Sequence, residues 1–286
     1  MFAGTCPSEL ADAPLKIPGR ARARGEIRAS FTAIGERTRL GRLHEHDGLR
    51  LRFPRTARGC EAVLVNTAGG VIGGDHAKLS FDCGPHTDVM LTTQAAEKIY
   101  RAQSRLDDDR ACIEVTLKVG EAARAEWLPQ ETILFDQANL RRKLEVDMAA
   151  SASVTLLESI VFGRMAMGEH SLTGSLHDRW RVRREDRLIF AEDLRLANNI
   201  TDVLDRPACG AGARAAATLL HVSPDAPQRL DAIRDVLESA GCESGASALN
   251  GFVVVRLLSA SPEKVRSAIL LLLNLLRDRD APRVWN

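Results

Sequence analysis

Apolar residues recur at every second position over most of this chain, and this alternation limits its possible folds more than any other feature. It is clearest from Ile113 to Val119, where apolar residues alternate with Glu, Thr and Lys. Successive side chains of a β-strand point to opposite faces, so such a segment has one buried face and one wet face. The same alternation occurs at 49–53, 77–81, 144–148, 152–156 and 180–182. All of these segments are predicted to be β-strands.

Turns that contain glycine or proline separate the alternating segments, and no amphipathic helix lies between them. Doubly wound α/β folds need helical crossovers between their parallel strands, so that class is disfavoured. The pattern instead predicts a mainly β protein, whether sandwich, barrel or solenoid. Periodicity shows which face of a strand is buried but not which strand it pairs with, so these three architectures stay open.

The last quarter of the chain changes to helical periodicity. A first helical stripe, which Gly241 ends, consists of Leu230, Ile233, Leu237 and Ala240. A strand at 252–258 separates it from a second helix, for which Ser261 is the cap and Pro262 the first residue. We therefore predict two α-helices near the C-terminus. The predicted organisation is a flexible N-terminal extension at 1–20 and a single domain at 21–286, mainly β over 21–222 and helix–strand–helix over 223–286.

Charge and composition exclude several classes of partner. The 39 basic residues nearly balance the 38 acidic ones and aromatic residues make up 4%, so no nucleic-acid partner is expected. The longest apolar run, Ala268 to Leu273, is too short for a membrane span, so no membrane partner is expected either. The cysteines form no Cys-x-x-Cys pair and the first 20 residues contain no apolar signal segment. We expect a cytoplasmic protein.

The segment NTAGGVIGGD at 66–75 is the sharpest local feature. Its candidate residues are Gly69, Gly70, Gly73, Gly74 and Asp75. Bare backbone N–H groups can line an anion, but a phosphate loop needs a lysine and a following helix, and here an acid and a strand follow. The favoured interpretation is a turn between two strands, in which glycines take positive φ and Asp75 serves as a cap.

A second polar segment, LTTQAAEKIYR at 91–101, contains the only tyrosine of the chain. Its candidate residues are Thr93, Gln94, Lys98, Tyr100 and Arg101. Lys98 and Tyr100 would share one face of a strand, but the spacing specifies no nucleophile and base. A polar strand edge is the favoured interpretation. The alternative is a metal- or phosphate-dependent enzyme that uses the Gly69–Asp75 loop and the Thr93–Arg101 strand.

Histidines give no clear metal site. His44 and His46 would project from the same face of a strand, but pairs of this kind often arise by chance. The remaining histidines are dispersed, and no metalloprotease or serine-hydrolase motif is present. No metal ligand set is assigned from the sequence.

Seven segments, in order along the chain, resemble the UreD family of urease accessory proteins, called UreH in some organisms. They are NTAGGVIGGD at 66–75, LTTQAAEKIYRA at 91–102, EWLPQETILFD at 126–136, ESIVFGRMAMGE at 158–169, SLHDRWRVRREDRLIFAEDLRL at 175–196, FVVVRLL at 252–258 and PRVWN at 282–286. The resemblance implies a β-helix-like (solenoid-like) or stacked-sheet domain with two helices near the C-terminus. It also implies a protein that is not an enzyme and matures urease, a nickel enzyme.

By the same resemblance, the protein would bind apo-urease and recruit UreF, and through UreF the GTPase UreG. No tightly bound cofactor is implied, and nickel would be present only in transit. Nickel(II) accepts oxygen ligands, and the matched segments contain the acids Asp75, Glu97, Glu131, Glu158, Glu169 and Asp178. If these acids line a solvent-filled passage, they would attract the cation. The alternative is that each pairs with an arginine such as Arg101, Arg164 or Arg179.

The second C-terminal helix is apolar on more than one side. Its most regular stripe consists of Val265, Ile269, Leu272 and Leu276. A helix of this kind must be covered, either by its own sheet or by a partner. We predict this stripe as a contact for UreF, with packing in the protein core as the alternative.

Overall fold

The structure is a computed structural model, and it describes residues 22–55, 59–102, 109–169, 171–277 and 281–285. The predicted extension at 1–20 lies outside the described residues. The strands are β1 (Arg24–Ile34), β2 (Arg37–His46), β3 (Leu49–Arg52), β4 (Cys60–Asn66), β5 (His76–Cys83), β6 (Asp88–Thr93), β7 (Glu97–Ile99), β8 (Ala111–Val119), β9 (Arg124–Leu128), β10 (Thr132–Leu134), β11 (Ala138–Met148), β12 (Ser153–Phe162), β13 (Thr173–Arg184), β14 (Arg187–Asn199), β15 (Ala215–Val222), β16 (Glu243–Leu249) and β17 (Phe252–Ser259). The α-helices are α1 (Ile200–Asp205), α2 (Leu230–Glu238) and α3 (Pro262–Leu276). The prediction of a mainly β protein is confirmed.

The strands form two sheets. The first has the spatial order β14-β13-β11-β8-β5-β1-β2, and its five inner strands run parallel while β2 and β14 pair antiparallel at the edges. The second has the order β16-β17-β15-β12-β9-β6-β4-β3, with β7 and β10 as a short branch beside β12. In the second sheet β4, β6, β9 and β12 run parallel.

The chain alternates between the two sheets along its middle section. Along the chain, β4 of the second sheet is followed by β5 of the first sheet and then by β6 of the second sheet. In the same way, β8 of the first sheet is followed by β9 and β10 of the second sheet and then by β11 of the first sheet. Parallel neighbours need a long crossover, and here a strand of the opposite sheet supplies it in place of a helix. Neither sheet is closed or curled, so the structure has the stacked-sheet form of the predicted fold, and a β-helix is not shown.

The inward rows of the two sheets form the main core. Phe31 and Trp180 from the first sheet and Trp127 and Leu156 from the second are among its buried side chains. This is the face that the alternation predicted, because every second residue of these strands points inward.

A second apolar layer covers the outer face of the second sheet, where α2 and α3 pack. The predicted start of α3 is confirmed, since the Ser261 hydroxyl accepts the Lys264 N–H and Pro262 is the first helical residue. The region 223–286 also contains β16, which the helix–strand–helix prediction lacked, and α1 is a further short helix. In the described ranges, none of the helices has the length and apolar character needed to cross a bilayer.

Candidate functional site

The glycine segment forms the connection between β4 and β5, and it runs beside β7. The Val71 N–H donates to the Lys98 carbonyl at 2.8 Å, and the Tyr100 N–H donates to the Val71 carbonyl at 2.9 Å. The two polar motifs of the sequence are therefore hydrogen-bonded to each other through their backbones.

The glycines let neighbouring groups approach the loop closely. A Cβ on Gly70 would lie 2.4 Å from the Tyr100 ring, and one on Gly73 would lie 2.5 Å from the Asp109 carbonyl. Gly69 has space around it but a φ of +76°. These positions need glycine for packing and for backbone conformation, so the segment is not an open cradle for phosphate.

Asp75 closes the loop. Its carboxylate accepts the Ala23 N–H at 2.9 Å and the Ile72 N–H at 3.0 Å, and the residue is 9% exposed. The loop is thereby fixed to the chain just before β1.

Four of the matched segments meet at a cavity of about 1160 Å³, which we call the motif cavity. Its lining includes Gly70, Asp75, Tyr100, Arg101, Arg164 and Glu169. The members come from loops and strand ends, where chain segments distant in sequence are brought together.

One wall of the motif cavity is aromatic. The rings of Tyr100 and Phe135 meet edge to face with 4.9 Å between centroids, and the Arg164 guanidinium lies 4.1 Å above the Phe135 ring. The Tyr100 hydroxyl donates to the Gly69 carbonyl at 3.2 Å. This tyrosine has a packing role and a hydrogen-bonding role in the loop.

Glu169, which lines the motif cavity, is held in place by two backbone N–H groups and by an ion pair. It accepts the backbone N–H groups of Asp136 at 2.9 Å and Arg164 at 2.8 Å, and it forms a 3.2 Å ion pair with the Arg164 guanidinium. Partial burial would raise the pKa of Glu169, but these hydrogen bonds outweigh it and lower that pKa. The carboxylate is therefore ionised at neutral pH.

Two of the predicted acids belong instead to a buried cluster around Arg142. Its guanidinium donates to Asp178 at 3.1 and 2.6 Å, to Thr132 at 3.0 Å and to Glu158. The Trp127 indole N–H donates to the other Glu158 oxygen at 2.8 Å. The cluster joins the two sheets, because Arg142 and Asp178 lie in the first and Glu158 in the second.

Burial dominates the electrostatics of the Arg142 cluster. It raises the pKa of the Glu158 carboxyl to about 7, against the opposing effect of Arg142. Burial would also lower the pKa of Arg142, but the charges of Asp178 and Glu158 outweigh it and raise that pKa. Arg142 therefore stays charged, while Glu158 titrates near neutrality.

Glu97 lies beside a smaller cavity of about 130 Å³, whose lining includes Gly69, Gly70, Thr93, Gln94 and Lys98. The Asn66 side chain donates to both Glu97 oxygens, at 3.1 and 3.2 Å. Burial raises the pKa of Glu97 to about 7, with the Asn66 bond as the main opposing effect.

The predicted Thr93–Arg101 strand is interrupted. β6 ends at Thr93, whose hydroxyl accepts the Gln130 N–H at 2.8 Å, and β7 starts only at Glu97. Lys98 is exposed, and Arg101 is exposed beside the motif cavity. The candidate residues of this segment are thus divided between two cavities. Thr93, Gln94 and Lys98 line the smaller cavity, whereas Tyr100 and Arg101 line the motif cavity.

Glu131 and the C-terminal helix meet at a third cavity, of about 110 Å³. Arg266 forms a 3.2 Å ion pair with Glu131 and donates to the Trp285 carbonyl at 2.7 Å. The Trp285 indole N–H donates to the Leu128 carbonyl at 3.1 Å. Residues 282–285 are therefore fixed to α3 and to the end of β9.

The predicted UreF stripe of α3 faces inward. Val265, Ile269, Leu272 and Leu276 are at most 2% exposed and lie in the apolar layer between α3 and the second sheet. This burial favours core packing, the alternative that the sequence had left open. The exposed side of the helix includes Glu263, Ser267 and Leu271 instead.

The six acids thus occupy four separate places, and four of them pair with an arginine in the described part of the chain, namely Glu131, Glu158, Glu169 and Asp178. Of the three arginines suggested from the sequence, Arg164 is the one that pairs with a predicted acid. In the part of the chain that the structure describes, no three His, Cys, Asp or Glu side chains are arranged to hold a metal ion. Arg142 and Phe135 had not been singled out from the sequence.

The fold and this site define the class of the protein: a two-sheet β protein with a large polar cavity where several loops and strand ends meet. The family model of the UreD urease accessory protein matches residues 23–286. The chain belongs to this family.

Relatives support the same family over nearly the full length. The urease accessory protein UreD of Beijerinckia indica is 46% identical, covering 92% of this chain and 97% of the relative. That of Xanthobacter autotrophicus is also 46% identical, covering 93% and 91%. That of Azorhizobium caulinodans is 43% identical, covering 94% and 98%.

Proposed function

We propose that the protein is a cytoplasmic urease maturation chaperone that binds apo-urease and, with UreF and the GTPase UreG, enables nickel insertion. The observation that carries the proposal is the match to the UreD urease accessory protein over residues 23–286. The meeting of four matched segments at the motif cavity supports it, because it gives these segments one shared location.

Nickel would be the cargo of the protein and would pass through the motif cavity. Asp75 and Glu169 line this cavity, and carboxylate oxygens are ligands that bind nickel(II) without the tight hold of thiolates. Arg164 neutralises part of the charge of Glu169, which favours weak and reversible binding. Glu158 and Asp178 are bound to Arg142, so in this proposal they support the structure.

Protein contacts would use exposed surfaces. The contact with UreF would fall to the outer side of α3, where Leu271 is 41% exposed, and not to the buried stripe. The GTP chemistry would belong to UreG. The isolated protein is expected to hydrolyse no nucleotide, and turnover lost in a Lys98→Ala variant would favour the enzyme hypothesis instead.

Co-expression with the urease subunits, UreF and UreG tests the proposal. We expect the protein to copurify with them and to be required for nickel-dependent urease activity. The Glu169→Gln variant should assemble normally but activate urease more slowly at limiting nickel, whereas the exposed control Glu238→Gln should behave as wild type. Full activation by Glu169→Gln would contradict the nickel passage, and failure to copurify would contradict the chaperone role.

A further inference from the structure

Among the described residues, β2 is an edge of the first sheet with no strand paired on its outer side. It is the outermost strand beside β1, and none of its residues from Arg37 to His46 is buried. The backbone N–H and C=O groups on the outer side of an edge strand are free to pair with a further strand.

The inward row of β2 continues the core face, and it holds Leu40 and Leu43 between two polar residues that accept N–H groups of the second sheet, Thr38 and Glu45. Leu40 lies opposite Phe31 and Leu43 lies opposite Ala29, and both of these β1 residues are buried in the main core. Leu40 is 37% exposed and Leu43 38% exposed. β2 therefore lies at the margin of the main core, where its two leucines are only partly covered.

The opposite row of β2 is basic. Arg37 lies opposite Ile34, and Arg39 lies opposite Thr32, so both point away from the core, and Arg42 follows at the irregularity in the pairing. Among the described residues no carboxylate forms an ion pair with Arg37, Arg39 or Arg42, whereas Glu26 and Glu45 are paired with other residues.

Charge on an edge strand often serves only to prevent aggregation. That role does not account for the apolar surface here, because Leu40 and Leu43 are partly exposed and Ile34, the last residue of β1, is 68% exposed. Basic and apolar groups side by side are typical of a surface that a specific partner covers.

We propose that β2 is a docking strand for an extended segment of another protein in which acidic and apolar residues alternate. A strand added beside β2 places its side chains in the same two rows. Its acidic residues would lie next to the arginine row, and its apolar residues next to Leu40 and Leu43. A second copy of this chain fits poorly, because pairing β2 with itself brings two arginine rows together. None of the residues that line the motif cavity belongs to β2, so this surface goes beyond the proposed maturation role.

Fluorescence anisotropy with a labelled octapeptide of alternating Glu and Val tests the proposal on the full chain. We expect the Arg37→Glu/Arg39→Glu variant to bind it about tenfold or more weakly, because two ion pairs become repulsive contacts. The matched control Arg187→Glu/Arg206→Glu makes the same change of charge at exposed sites and should bind as wild type. Equal loss in both variants, or no loss in either, would overturn the proposal.

Peptide order and hydrogen exchange separate strand addition from simple charge attraction. A peptide with the same composition but with its Glu residues in one block should bind more weakly, and the alternating peptide should protect β2 amides from exchange. Equal binding of the two peptides, or no added protection, would overturn the proposal. Amides of β2 that point away from β1 and are already protected in the free protein would overturn it too, as would self-association through β2 or displacement of the peptide by short duplex DNA at equal concentration.

Discussion

Gly69 and Gly70 are adjacent, yet a methyl group at each would meet different surroundings. At Gly69 the φ of +76° makes alanine unfavourable by about 1 kcal/mol, but no atom lies within 4 Å of the added Cβ. At Gly70 the Cβ would overlap the Tyr100 ring and the Lys98 carbonyl, at 2.4 and 2.8 Å. We expect Gly70→Ala to lower the free energy of unfolding by about 3 kcal/mol and Gly69→Ala by about 1 kcal/mol, measured by urea denaturation. Equal losses would show that Tyr100 moves aside easily.

Glu97 gives a prediction about pH. Its folded-state pKa, raised by burial to about 7, lies above the ordinary value of 4.5, so the native state retains a proton that the unfolded state releases. The stability contribution of this group is present below about pH 4.5 and is lost as the pH rises through about 7. The Glu97→Gln variant lacks this titration. Relative to wild type, its free energy of unfolding should rise by about 1 to 2 kcal/mol between about pH 5 and about pH 8. A constant difference, like that expected for the exposed control Glu238→Gln, would contradict the buried titration.

The buried charges could have been located from the alternation alone. Arg142 is two residues before Leu144, Glu158 is two after Leu156, and Asp178 is two before Trp180, so each falls in an inward row. A charge in an inward row must find a partner. Which charges meet depends on the stacking of the sheets, and single strands carry no information about that.

At the scale of elements, the predicted strands are confirmed wherever one face is buried and the other is wet. β16 was missed because its inward row has only the small residues Ser244, Ala246 and Ala248, and because its strand lies at a sheet edge. α1 was missed because six residues are too few to show helical periodicity. The strand predicted across Thr93–Arg101 is broken at 94–96, since β6 and β7 belong to different parts of the second sheet.

Adjacent leucines of α3 test the two faces of this helix. Leu272 is fully buried against the second sheet, whereas Leu271 is 41% exposed. We expect Leu272→Ala to lower the free energy of unfolding by about 3 kcal/mol and Leu271→Ala by less than about 1 kcal/mol. If the outer side of α3 contacts UreF, Leu271→Ala should nevertheless weaken the capture of UreF in a pull-down. Normal capture by a stable Leu271→Ala protein would place that contact elsewhere.

For the whole molecule, the sequence predicted the mainly β class, but it did not predict how the chain passes between the two sheets. Parallel pairing of β5 with β8 joins residues 36 positions apart, such as Leu79 and Val115, and an alternating strand gives no sign of its neighbour. The motif cavity could not be predicted for the same reason, because Asp75 and Glu169 come together only through the order of strands. The motif resemblance named the family, and the structure supplied the place where four of its segments meet.

The Arg142 cluster is a buried polar connection between the two sheets, and its removal should destabilise the fold. Arg142→Met would leave Glu158 and Asp178 buried beside each other without a cation, which costs about 3 to 5 kcal/mol of unfolding free energy. Arg142 opposes the rise that burial causes in the pKa of Glu158, so without Arg142 this carboxyl is accommodated better when protonated. The deficit should therefore be smaller at about pH 5 than at about pH 8, as measured by denaturation at both pH values. The triple variant Arg142→Met/Glu158→Gln/Asp178→Asn removes all three charges and should recover part of the loss at the higher pH. A deficit below about 1 kcal/mol, or one that is independent of pH, would mean that this cluster adds little to the stability of the sheet packing.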